Sequence, residues 1–279
     1  MSELLALSKV RLSLTVVMSS VLGLLLASNG NFSFTSMILL ALGGFLITAA
    51  ANTMNQVLEK DFDKFMSRTA DRPLAANRMK VADAVLFGGL ACLVGTIILA
   101  TFNPLTAVLG VLSFILYSYV YTPLKRYSPA AVAIGAIPGA LPVLIGCTAV
   151  EGSLSWLAVC LFFIQFFWQF PHFWSIGFLG FEDYKKAGFK LIPENDGEID
   201  RSISLNGMIY IGLIIPAIYG LFRLDYISLS SLVVGLLMTL GFLYMAYNFD
   251  RNFDRKSALQ LMFFSFFFIP VLLISFLIF

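Results

Sequence analysis

The sequence predicts an all-α membrane protein, a bundle of about nine transmembrane helices with the N-terminus cytoplasmic and the C-terminus outside. Three observations predict it. The chain is 59% hydrophobic and only 12% charged, about half the charged share of a soluble domain, and its mean hydropathy is +0.89. Nine windows are long and apolar enough to cross a bilayer core, which takes roughly 20 residues: 10–27, 35–55, 83–101, 104–121, 131–149, 154–180, 203–222, 226–247 and 258–278. The cations fall almost wholly on one side of these windows.

Lys9 and Arg11 stand ahead of the first window. Its length, and the eight similar segments that follow, make it a retained span rather than a cleaved signal core. No Arg-rich, acid-poor leader precedes it, so the expected location is a bacterial inner membrane. With the N-terminus inside, the tail and the second, fourth, sixth and eighth connections carry seventeen of the eighteen Lys and Arg, leaving only Arg223 outside. Cytoplasmic loops are enriched in such residues. Fourteen of the sixteen acids lie on the same side, all but Glu151 and Asp225. The expected organisation is one domain, 1–279, with its chemistry on cytoplasmic loops at about 56–82, 122–130 and 181–202. A net charge of +2 gives no sign of a nucleic-acid partner, and the composition calls for membrane lipid. Cys92, Cys147 and Cys160 lack disulfide or zinc spacing and read as packing residues.

The second window runs into NTMNQVLEKDFDKFMSRTADRPL, residues 52–74. At about 100° per residue, Asn52, Asn55, Glu59 and Asp63 fall within an arc of roughly 80°, while Asp61 points away. Carboxylates and amides on one helix face suit Mg²⁺ held against a phosphate. The cations Lys60, Lys64, Arg68 and Arg72 follow directly, and phosphate needs them too. Charges at a helix end also describe a solvated terminus, which does not require the three-to-four-residue spacing.

The fourth window ends in Tyr117, Tyr119 and Tyr121, residues that commonly anchor a membrane interface. Lys125 and Arg126 then extend the cationic rim. The run GAIPGALP, 135–142, reads as close helix packing and would let a flat ligand approach the backbone. In the sixth window, Gln165, Gln169 and the single histidine, His172, share one face in QFFWQFPHFW. Polar groups at membrane depth tend to line an interior cavity, although a histidine there also serves by bonding a neighbouring helix. Pro171 is expected to kink the helix. Beyond it, Asp183 with Lys185 and Lys186 reads as a second metal and phosphate site, and Glu194 to Asp200 as a solvated turn around Gly197.

Taken together, these motifs resemble the membrane-embedded prenyltransferase family, and within it the haem-farnesylating subgroup. The family's first acidic motif matches at Asn55, Glu59 and Asp63, with Gln56 where most relatives have Asp. The subgroup resemblance runs through MSRTADRPL (66–74), YTPLKR (121–126), PHFW (171–174) and DYKKAGFKLIP (183–193). In the second acidic motif, Asp183 is followed four residues later by Ala187 instead of Asp. The resemblance implies nine spans and transfer of a farnesyl group from farnesyl diphosphate to a vinyl group of haem b. It implies Mg²⁺ on Asn55, Glu59, Asp63 and Asp183, and a diphosphate clamp drawn from Arg68, Arg72, Lys125, Arg126 and Lys186. Tyr117 or Tyr121 would shield the allylic cation, and His172 would ligate iron, orient the porphyrin or accept a proton. It also makes a haem A synthase or terminal oxidase assembly a plausible partner. A quinone precursor as acceptor, a polytopic transporter, and a haem-carrying accessory protein are the alternatives. Charges gathered at one mouth fit catalysis better than transport.

Overall fold

The structure is a computed structural model that describes residues 2–278. In chain order its helices are α1 (Ser2–Ser8), α2 (Val10–Ala27), α3 (Phe34–Asp63), α4 (Val81–Ala100), α5 (Pro104–Leu124), α6 (Ala131–Glu151), α7 (Trp156–Leu179), α8 (Phe181–Lys186), α9 (Ser202–Arg223), α10 (Leu229–Asn252) and α11 (Arg255–Ile278). Among the described residues nine of them, all but α1 and α8, are long and apolar enough to cross a membrane. Each overlaps one of the expected windows. Several boundaries have local causes. The Asn103 and Ser155 side chains accept the Thr106 and Ala158 N–H groups at 2.9 and 3.1 Å and cap α5 and α7. Gly152, at φ 68°, ends α6 in the left-handed region.

Two elements were not expected. The tail ahead of the first span is helical, and Leu7 packs with Leu74 and Ala84 in a small cluster of its own. Glu194–Asn195 pairs antiparallel with Glu198–Ile199. Asp196 and Gly197, at φ 52° and 85°, supply the positive-φ turn that such a hairpin needs. α7 runs from Trp156 to Leu179 as one helix with Pro171 inside it.

The bundle is arranged around α6. Its hydrophobic window is 78% buried, against 22% for α4, so α6 is central and α4 faces lipid. Small residues make this possible. A Cβ on Gly146 would meet Ser20 O at 1.9 Å, and one on Gly23 would meet Val143 O at 2.4 Å, so α2 and α6 approach backbone to backbone. Pro142 leaves Pro138 O without its helical donor, and Ser113 Oγ of α5 donates to it at 3.4 Å.

α3 is 30 residues long, about 45 Å at 1.5 Å per residue, against about 30 Å for a hydrocarbon core. Its last turns therefore project beyond the apolar layer. The polar stripe lies there.

Gly146→Ala should lower thermal stability in detergent by about 1–3 kcal/mol, because the backbone it meets cannot yield. Gly89→Ala, which meets nothing within 4 Å on α4, should leave stability unchanged or raise it. Equal effects at the two sites would sink this account of the α2–α6 contact.

Candidate active site

Asn52, Asn55, Glu59 and Asp63 are all buried, with 0–3% of their surface exposed. Asp61 is exposed and pairs with Lys64. A buried carboxylate needs partners, and here Asn55, Glu59 and Asp63 each face a cation from a different part of the chain. Lys9 Nζ donates to Asn55 Oδ1 at 3.0 Å. Lys125 forms a short ion pair with Glu59. Arg72 Nη1 donates to both Asp63 oxygens at 2.7 Å.

The amide of Asn55 completes the cluster, donating to Glu59 Oε2 at 2.7 Å and to Thr122 Oγ1 at 3.2 Å. Thr69 Oγ1 donates to Asp63 O at 2.9 Å and closes the turn that carries Arg72. Lys9 itself holds a left-handed backbone, φ 45°, unusual for a long side chain. Burial, with Arg72 and Lys125 close by, pushes its ammonium well below the ordinary lysine range.

Two further loops converge on this end. Lys125 Nζ lies 4.8 Å from the Tyr121 ring centre and 5.6 Å from that of Phe189. The Arg126 guanidinium sits 4.5 Å over Phe62, and its buried Nε has no partner among the described residues. An enclosed, unsatisfied guanidinium donor is suited to an anion. Ser67 Oγ donates to Asp183 Oδ2 at 2.6 Å, and Lys190 N to Lys125 O at 2.7 Å.

Below the charges opens a cavity of about 310 Å³, whose wall includes Asn52, Tyr117, Tyr121, Gln165, Gln169 and His172. Tyr117 and Tyr121 stand on a π-helical turn, Leu116–Tyr121. The turn ends just before Pro123, which has no N–H to continue the ladder, and Thr122 Oγ1 donates to Tyr117 O at 2.8 Å. Both glutamines are tied to α6: Gln165 Nε2 donates to Gly139 O at 3.1 Å and Gln169 Nε2 to Ala136 O at 2.9 Å. A Cβ on Gly139 would lie 1.9 Å from Gln169 Oε1. GAIPG is thus the bed in which these side chains lie.

The expected site residues divide in two. Asn55, Glu59, Asp63, Arg72 and Lys125 form one bonded cluster, with Arg126, Tyr117 and Tyr121 around it. Asp183 is bonded to Ser67 instead of joining Glu59 and Asp63. Among the described residues no group of three or more His, Cys, Asp or Glu comes together as a metal site. Arg68 and Lys186 are exposed. Lys9, Thr69 and Thr122 went unnoticed as site residues, since Lys9 had signalled only orientation. Gln56 donates to Ala6 O at 3.3 Å and Leu7 O at 2.9 Å, so it ties α1 down in place of adding a charge.

The UbiA prenyltransferase family model matches residues 16–267. The chain belongs to this family. Among its UbiA-family relatives, a protoheme IX farnesyltransferase of Cytophaga hutchinsonii is 40% identical over 271 residues, 97% of this chain and 94% of that protein. The mitochondrial protoheme IX farnesyltransferase of Homo sapiens is 34% identical, over 96% of this chain and 60% of its own. In fold, a structure described as digeranylgeranylglyceryl phosphate synthase matches with a TM-score of 0.82 at 18% identity, over 99% of this chain and 97% of that one. A UbiA homologue from Archaeoglobus fulgidus bound to GPP and Mg²⁺ matches with a TM-score of 0.71 at 15% identity, over 99% of each chain. The bundle is therefore the UbiA fold of an integral membrane prenyltransferase.

Asp63→Asn and Arg72→Ala should each destabilise the protein, by about 3–5 kcal/mol where the buried partner is left alone. The double variant should lose clearly less than the sum. Thermal unfolding of the four proteins gives the coupling, and strict additivity would mean that the pair does not hold the site together.

Proposed function

We propose that the chain transfers the farnesyl group of farnesyl diphosphate to a vinyl group of haem b, water adding to give the hydroxyethylfarnesyl side chain of haem O. The observation that carries this reading is the joining of a buried acid and cation cluster to an apolar cavity that ends at a histidine. One substrate is a diphosphate with an apolar tail, and the other is a flat, largely apolar ring around a metal, with two propionates at one edge. Near full-length identity to protoheme IX farnesyltransferases supports the acceptor.

The cluster has the chemistry for a diphosphate. Its acceptors are all oxygens, as a hard divalent cation requires, and each already holds a positive charge in place. Asn55, Glu59 and Asp63 are the residues that would hold Mg²⁺, with Asp183 added from the facing loop. Bound there, Mg²⁺ neutralises charge on the leaving diphosphate. Lys9, Arg72 and Lys125, displaced from their acceptors, are left to bond phosphate oxygens, and Arg126 brings its free Nε. Arg68 and Lys186 reach in from the exposed loops. This is stabilisation of a leaving group by fixed charge, with no covalent intermediate on the protein.

The Tyr117 and Tyr121 rings, 5.4 Å apart, stand on the cavity wall beyond the charges. Their π faces stabilise the positive charge that develops on the allylic carbon. Their apolar surroundings keep water from it until the vinyl group has added. Given the distribution of Lys and Arg, the diphosphate end faces the cytoplasm, and in a bacterium the membrane is the inner one.

Purified protein given haem b, farnesyl diphosphate and Mg²⁺ should yield hydroxyethylfarnesyl haem by mass spectrometry, and none with EDTA. Glu59→Gln and Asp63→Asn should reduce the rate by about 100-fold or more, in folded protein. Full Mg²⁺-dependent turnover in both variants would remove this metal site. Unmodified haem alongside a prenylated quinone precursor would favour the other acceptor class.

A further inference from the structure

His172 of α7 meets Ser265 of α11 at the cavity wall, Nδ1 lying 2.7 Å from Oγ. The direction of that bond follows from what else the serine does. Ser265 Oγ donates to Met262 O, one turn back on its own helix, at 2.5 Å. At that separation two oxygens repel unless a proton lies between them. A hydroxyl has only one proton. With it committed to Met262, Ser265 can only accept from His172, and the ring proton sits on Nδ1. The neutral ring then carries its lone pair on Nε2, which has no hydrogen-bond partner among the described residues.

The ring is also fixed in space. It stacks on Trp168, centroids 4.7 Å apart at 17°, and meets the edge of Phe266 at 5.1 Å. Trp168 Nε1 donates to Ser265 O at 2.8 Å, so both polar groups of Ser265 serve this pair of rings. The rings of Trp168, Phe173 and Phe266 pack around the imidazole, and among the described residues the cavity it lines has no acidic side chain in its wall. No carboxylate there stabilises an imidazolium. Accepting a proton would create an unpaired buried charge, whereas ligating a metal leaves the ring neutral. A ligating histidine ordinarily donates its other N–H to a fixed acceptor, which is the part that Ser265 plays.

We infer that Ser265 is a positioning residue that holds His172 as the Nδ1–H tautomer, so that Nε2 faces the cavity as an axial ligand for the iron of the haem substrate. This rests on the haem reading above and adds to it the atom that binds and the residue that selects it.

The test uses the full chain in nanodiscs, loaded with haem b without farnesyl diphosphate. Resonance Raman spectroscopy of the ferrous complex reads the iron–histidine stretch, whose frequency follows the strength of the Nδ1–H hydrogen bond. Wild type should show the band. His172→Ala should lose it, and added imidazole should restore an imidazole-ligated haem. Ser265→Ala should shift the band to lower frequency and weaken haem binding about tenfold, the low end of the range for partners of metal-bound histidines. Ser265→Thr, which keeps the hydroxyl, should retain both. If Ser265→Ala is not recovered folded, Ser265→Cys, close in size and a weak acceptor, should show the same shift.

An unshifted band in the variant lacking the hydroxyl, or haem affinity unchanged by His172→Ala, overturns the inference. Product formation by a wild type without the band also overturns it and leaves the haem reading standing. A folded wild type that neither binds nor modifies haem overturns the haem reading itself.

Discussion

The pairing of buried oxygens on α3 with cations drawn from elsewhere is the constraint on which the rest of this structure depends. Glu59 and Asp63 lie enclosed at the end of a long apolar helix, where an unpartnered carboxylate costs several kcal/mol. Each is neutralised by a residue that belongs to another element, Lys125 at the end of α5 and Arg72 in the loop after α3. Asn55 likewise draws Lys9 from the turn between α1 and α2. Satisfying the charges thus brings together the N-terminal turn and the connections that follow α3 and α5. The third loop is held by hydrogen bonds from Ser67 to Asp183 and from Lys190 N to Lys125 O, and by packing of Ala187 and Phe189 against Met66.

The same arrangement prepares the site for a charged ligand. Acids and cations are present in near balance within the cluster, so under the proposed function a metal ion and a diphosphate would meet groups already in position. Little reorganisation is needed at the moment of reaction, the feature that makes fixed charges effective catalysts.

The apolar half follows from residues that have almost no side chain. Gly135 leaves room for the Tyr121 ring and Gly139 for the Gln169 amide, and these two larger residues form opposite parts of the cavity wall. At its far side the aromatic stack of Trp168, His172 and Phe266 joins α7 to α11. The cavity is lined by aromatic rings, two glutamines and a single imidazole, and the acid and cation cluster adjoins it where Lys125 lies against the Tyr121 ring. That arrangement matches the proposed pair of substrates, a prenyl chain ending in a diphosphate and a porphyrin whose charged propionates sit at one edge of an apolar ring.

Local pattern alone determined much of this. The spans depend on length and hydropathy and the acidic stripe on a helical period, both properties of neighbouring residues. The pairings were decided by tertiary structure, because they join positions far apart: Lys9 to Asn55 across 46 residues, Asn55 to Thr122 across 67, His172 to Ser265 across 93. A lysine ahead of the first span looks the same in sequence whether it marks orientation or enters a site. Gln56 looks like a weakened ligand until Ala6 and Leu7 are seen beneath it. A serine in a run of phenylalanines gives no sign that it faces an imidazole. Hydrogen bonds between helices exist only once the helices have docked, and the close approach of small residues that sets the docking has no period for a single sequence to display.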